Sequence, residues 1–149
     1  MDTHAGMAKY EGKQVVLEIY DTAGQQDFAA MRPVVYRTPT PAQCFVVCFS
    51  LVDPESFKNA TTVWLNELNQ LGPVNCPKLL LGLKSDMRDE FMEKEETKSL
   101  CILFQQGEQA MNEFNFHGYA ECSAKTGEGL NNVFFEVMKI HFTPKDKKG

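Results

Sequence analysis

Residues Val15 to Phe28, VVLEIYDTAGQQDF, constrain the fold more than any other stretch. Val15, Val16, Leu17, Ile19 and Tyr20 are β-branched, aliphatic or aromatic, which predicts a strand buried on both faces. The apolar run ends abruptly in Asp21-Thr22-Ala23-Gly24-Gln25. In an open α/β sheet, ligands sit beyond the carboxyl ends of the strands. An acid, a glycine and a glutamine at that edge suit a phosphate and metal site. The carboxylate can hold Mg²⁺ through water, the glycine lets a backbone N–H approach a phosphate, and the glutamine can orient an attacking water. An ordinary strand-ending turn has the same composition, so the rest of the chain must decide.

The chain has 149 residues, one domain by length, with an ordinary apolar content of 43%. Its net charge of −5 argues against nucleic-acid binding, which needs a basic face. No run is long and apolar enough for a membrane span, and the N-terminus does not read as a signal peptide. Cys44, Cys48, Cys76, Cys101 and Cys122 form no C-x-x-C pair and read as reduced thiols of a cytoplasmic protein. Cys44 and Cys48 lie on one face of an apolar strand and read as buried structural thiols. His4, His117 and His141 are isolated, and none is assigned a catalytic role.

In chain order, Ala8 to Tyr10 can pair back on the first strong strand as an edge hairpin around Glu11-Gly12. Gln26 to Arg37 reads as a loop with a short helical piece. Cys44 to Leu51 reads as a second buried strand. Asp53-Pro54 opens a helix whose apolar face is Phe57, Ala60, Trp64, Leu68 and Leu71, ended by Gly72-Pro73. Lys78 to Leu83 is a third buried strand running into Lys84-Ser85-Asp86. Glu90 to Lys98 reads as a solvated helical face, and Gln105 to Phe114 as another helix. Gly118 to Cys122 is a short strand before Ser123-Ala124-Lys125-Thr126-Gly127. A last helix from about Gly129 to Phe142 carries Leu130, Val133, Phe134, Val137 and His141 on its apolar face. Residues 1–142 thus form the domain and 143–149 a polar tail. Strands alternating with helices predict an α/β fold, a mostly parallel sheet with helices on both faces.

Three polar motifs each follow an apolar strand: DTAGQ at 21–25, LKSD at 83–86 and ECSAK at 121–125. Each alone is weak. Together, at carboxyl ends, they converge on one crevice. With RPVVY at 32–36, CFSLVDPESF at 48–57, SDMRD at 85–89 and QQG at 105–107, the chain resembles the Ras superfamily of small GTPases, most closely the Rho family. The resemblance runs from about Gly12 to Phe142. It implies a P-loop-NTPase-like domain and a GTP/GDP-binding switch that hydrolyses GTP with Mg²⁺. By that resemblance Asp21 reaches Mg²⁺ through water, Gly24 meets the γ-phosphate and Gln25 positions the hydrolytic water. Lys84 lies along the guanine ring, Asp86 accepts from the ring N–H and amine, and Ser123, Ala124 and Lys125 complete the base pocket. Phe28, Arg32 and Tyr36, in the second switch, face exchange factors, GTPase-activating proteins or effectors.

The pattern also departs from the family. These residues contain no G-x-x-x-x-G-K-[ST], the motif that cradles phosphates, and Met1 aligns just after the first-switch threonine. The resemblance therefore implies an N-terminally incomplete domain. Its expected consequences are weak autonomous nucleotide binding, an open sheet able to self-associate, and exposed apolar side chains. Each such side chain forfeits on the order of 1.5–3 kcal/mol against a total stability of about 5–15 kcal/mol. Leu83 stands where the family has Asn or Thr, the insert from Glu90 to Ile102 is short, and the C-terminal residues carry no prenylation box. An alternative reading is a non-catalytic pseudo-GTPase module that binds Rho regulators or effectors.

Overall fold

The computed structural model describes residues 2–10, 13–21, 44–71 and 76–142. The expected loop at 26–37, the stop at Gly72-Pro73 and the tail 143–149 lie outside them. So do the side chains of the first two strands.

Strands β1 (Asp2–Tyr10) and β2 (Lys13–Asp21) form an antiparallel hairpin, with Tyr10 opposite Lys13 and Asp2 opposite Asp21. The pairing extends well beyond the Ala8–Tyr10 expected, because antiparallel partners keep their register once a short connection sets it.

A second sheet has the order β3 (Phe45–Ser50), β4 (Lys78–Leu83), β5 (Gly118–Glu121), all parallel. Parallel neighbours need crossovers, and helices supply them. The first starts at Asp53, whose Oδ1 accepts from the N–H groups of Glu55 and Ser56 at 3.1 and 3.4 Å, with Pro54 in the first turn. It runs as α1 (Pro54–Asn59), a π-helical turn (Ala60–Trp64) and α2 (Leu65–Leu71). The wide turn shifts the apolar face by one residue, so Leu65 is buried and Trp64 only partly, correcting the expected face.

Ser85 opens a short helix, α3 (Ser85–Phe91), in a segment for which the sequence reading named no element. The charged run is solvated as expected, but a turn at Met92–Lys94 divides it before α4 (Glu95–Lys98). Helices α5 (Phe104–Glu113) and α6 (Leu130–Phe142) complete the set.

The core has two halves, one on each side of β4. Val47, Phe49, Leu51, Leu65, Leu80 and Ala110 pack on one side. Leu79, Leu81, Ala120, Cys122 and Val133 pack on the other, under α6. Helix α6 turns Leu130, Val133, Val137 and Ile140 inward, with Met138 also buried. Phe134 and His141, expected on that face, are exposed. At 3.6 residues per turn, only part of so apolar a helix can face the sheet.

Strand β3 also differs from the expected interior strand. It is buried on one face only: Val46 and Cys48 are exposed and Cys44 is half-buried. Thiols expected to be interior lie on a face that no described element covers. Burial still pushes the Cys44 thiol up to about 12, with Cys76 nearby adding to the shift.

Candidate functional site

The carboxyl ends of β4 and β5 lie side by side, and their following segments meet. Lys84 leaves β4 with φ of 69°, in the left-handed region that a non-glycine residue enters at a cost of about 1–3 kcal/mol. That turn starts α3 at once and puts Asp86 in its first turn. The Ser85 N–H donates to the Cys122 carbonyl at 3.1 Å. Next along, the Ser123 hydroxyl donates to Asp86 Oδ1 at 2.8 Å. Two motifs 37 residues apart are therefore joined side chain to side chain.

The segment after β5 is a compact turn built around Ser123, which is fully buried. Its Oγ also accepts from the Thr126 N–H at 3.1 Å, its N–H donates to the Glu128 carbonyl at 2.9 Å, and its carbonyl accepts from Gly127 at 2.8 Å. Gly129, at φ 80°, closes the turn, and a Cβ there would strike the Glu121 carbonyl oxygen. With Ser123 committed inward, Ala124 and Lys125 project into solvent. Among the described residues the Ala124 N–H has no acceptor.

The Ser123 hydroxyl holds the Asp86 carboxyl below the usual carboxylate range, and nearby Lys125 pulls in the same direction. A depressed carboxyl favours folding above its unfolded pKa, and that contribution fades as pH falls through the folded value. Asp86 is thus an ionised acceptor at neutral pH, half-exposed and oriented by a neighbour. An ionised carboxylate, an unpaired backbone donor and the aliphatic stems of Lys84 and Lys125 fit a flat heterocycle with adjacent N–H donors and a carbonyl.

The structure thus brings together Lys84, Asp86, Ser123, Ala124 and Lys125. Asp21 ends β2, but its side chain is outside the described residues. Gly24, Gln25, Phe28, Arg32 and Tyr36 lie outside them altogether. The Leu83 side chain packs against the apolar cluster under α6 and has no polar group to offer the loops, although its carbonyl accepts from the Leu51 N–H at 2.9 Å.

Sequence reasoning missed a second link. Arg88 on α3 makes two bonds to Glu121, Nη1–Oε2 at 2.9 Å and Nη2–Oε1 at 2.6 Å, and Nη1 also donates to the Ile102 carbonyl at 2.9 Å. The Tyr119 hydroxyl donates to the same carboxylate. Burial, then that carboxylate, pushes Tyr119 far above its ordinary range, so it stays a donor. The available signal was the matched spacing: Arg88 follows Asp86 by two residues, as Glu121 precedes Ser123 by two.

Residues 1–142 match the Ras family. The GTP-binding protein rho2 of Schizosaccharomyces pombe is 32% identical over 150 residues, spanning 99% of this chain and 73% of that protein. No described helix is long and apolar enough to cross a membrane.

Proposed function

The chain belongs to the Ras family of small GTPases and is Rho-like within it, and from that premise we propose that it takes the guanine base of GTP or GDP on the Asp86–Ser123 face. Lys84 and Lys125 flank the ring, Asp86 accepts from its N–H and amine, and the Ala124 N–H donates to its carbonyl. Ser123 holds Asp86 in place. The observation that carries this reading is the 2.8 Å bond from Ser123 to Asp86, which makes one surface of two distant motifs. Mg²⁺, when bound beside the phosphates, would neutralise their charge. Asp21 would hold it through water, Gly24 would meet the γ-phosphate, and Gln25 would position the water that attacks it. Rho-type exchange factors, GTPase-activating proteins or effectors would contact Phe28, Arg32 and Tyr36.

The test is a titration of the soluble chain with fluorescent GDP, with and without Mg²⁺. The switch reading expects saturable, Mg²⁺-dependent binding, weakened at least about tenfold in Asp86→Ala by loss of charge-assisted bonds. A folded chain that ignores GDP sinks it.

The pseudo-GTPase reading is favoured by one observation. Leu83 is packed into the apolar cluster where the resemblance calls for a polar residue. In that reading the chain competes for Rho regulators or effectors without hydrolysing GTP, and it can pair with a second copy through β3, which among the described residues is bonded only to β4. Failure to compete with a full-length relative for any regulator would remove its support.

A further inference from the structure

Helix α3 carries Asp86, yet its own packing does not hold it in place. It has only seven residues, too few to persist alone, and Lys84 caps it without a side-chain bond. A cavity of about 310 Å³ lies beside it, lined by Ser85, Arg88, Phe104, Tyr119, Glu121 and Gly129 among others. The Ser85 hydroxyl is buried with no hydrogen-bond partner. Contact beneath the first turn is therefore incomplete, and polar links must set the orientation of α3.

Three such links cross from α3 to the end of β5: Ser85 N–H to Cys122, Asp86 to Ser123, and Arg88 to Glu121. The first two are single bonds clustered at the first turn, and at the far end the Thr97 hydroxyl donates to the Phe91 carbonyl at 2.8 Å, a bond that ties α3 to the following turn and not to β5. The third is bidentate and sits further along. Two parallel bonds between planar groups fix rotation as well as distance. Both side chains are largely buried, at 16% and 11% exposed, and each is itself anchored, Arg88 by the Ile102 carbonyl and Glu121 by the Tyr119 hydroxyl.

We propose that Arg88 is a positioning residue for base recognition: by clamping Glu121, it fixes the helix that carries Asp86 against the turn that carries Ser123, Ala124 and Lys125. The inference rests on the guanine reading of that face. An ion pair that merely stabilised the fold would leave the Asp86 carboxylate and base preference unchanged once the variant had folded.

Arg88→Gln, Arg88→Lys and the exchange of Arg88→Glu with Glu121→Arg are compared with the parent chain by two readouts. One is the carbon NMR titration of the Asp86 carboxyl. The other is the ratio of affinities for guanosine and inosine diphosphate, the latter lacking the exocyclic amine that Asp86 would read. In folded Arg88→Gln, Asp86 should titrate closer to an ordinary carboxylate, and the preference for guanosine should fall roughly tenfold. Arg88→Lys should retain part of both, and the exchange should restore part. A folded Arg88→Gln that leaves both readouts at parental values overturns the proposal, and if that variant does not fold, Arg88→Lys decides by the same criterion. Should the parent bind neither nucleotide, the guanine reading fails, while the Asp86 titration still judges the clamp: a shift keeps it, no shift removes it.

Discussion

Strands β3 and β4 are paired neighbours of six residues each, FVVCFS and KLLLGL, and both look interior in sequence. Yet β4 is buried on both faces, whereas β3 is buried on one. The strand with cover on both sides has helices α1 and α2 with α5 on one face and α6 on the other. On β3, α6 reaches too little of the second face, so Val46 and Cys48 stay in solvent. An apolar strand records a capacity for burial. Whether it is used depends on what the chain places above it.

That contrast can be broken by substitution. The largest effect belongs to β4: Leu79→Ala or Leu80→Ala, each at a fully buried position, should cost about 2–5 kcal/mol in urea unfolding. A cost near that of a surface site would mean β4 is not the centre of the core. Next comes Gly82→Ala, whose new Cβ would come within 2.7 Å of Leu51 Cδ2 and 3.2 Å of the Phe49 ring. Overpacking there should destabilise by about 1–3 kcal/mol. On β3, Val46→Ala should cost under about 1 kcal/mol by the same measurement. A loss of several kcal/mol would show that its outer face is covered in solution. The smallest effect is expected for Cys48→Ser, within about 0.5 kcal/mol of the parent. In the parent, Cys48 should be alkylated before Cys122, which burial both shields and pushes up in pKa. Peptide mass spectrometry after a short iodoacetamide pulse reads that order, and the reverse order would again place cover over β3.

How much of this could be read from the chain divides along the same line. Lys78–Leu83 was legible to the residue, because a short apolar run lies between a proline and a charged turn. Asp53-Pro54 was legible because capping is local chemistry. That Lys84 and Asp86 would lie beside Ser123, Ala124 and Lys125 was legible through motifs at strand ends, and the bond from Ser123 to Asp86 joins the two segments. Exposure of β3 was not legible, since it depends on which side α6 takes. The start of α3 at Ser85 was hidden by the left-handed Lys84, a conformation that residue type does not announce. The Arg88–Glu121 clamp spans 33 residues of sequence and joins two residues that each look like ordinary surface charges.

The π-helical turn at Ala60–Trp64 has a consequence for how the chain tolerates changes of length. A wide turn holds one residue more than the α-helical path between the same two ends. Removing one residue there lets α1 and α2 join as a plain helix with Phe57 and Leu65 still aimed at the sheet. The same deletion a turn earlier or later would rotate half of the helix by about 100° and pull its apolar stripe off the core. The middle of this helix is therefore a place where the reading frame of side chains can be reset.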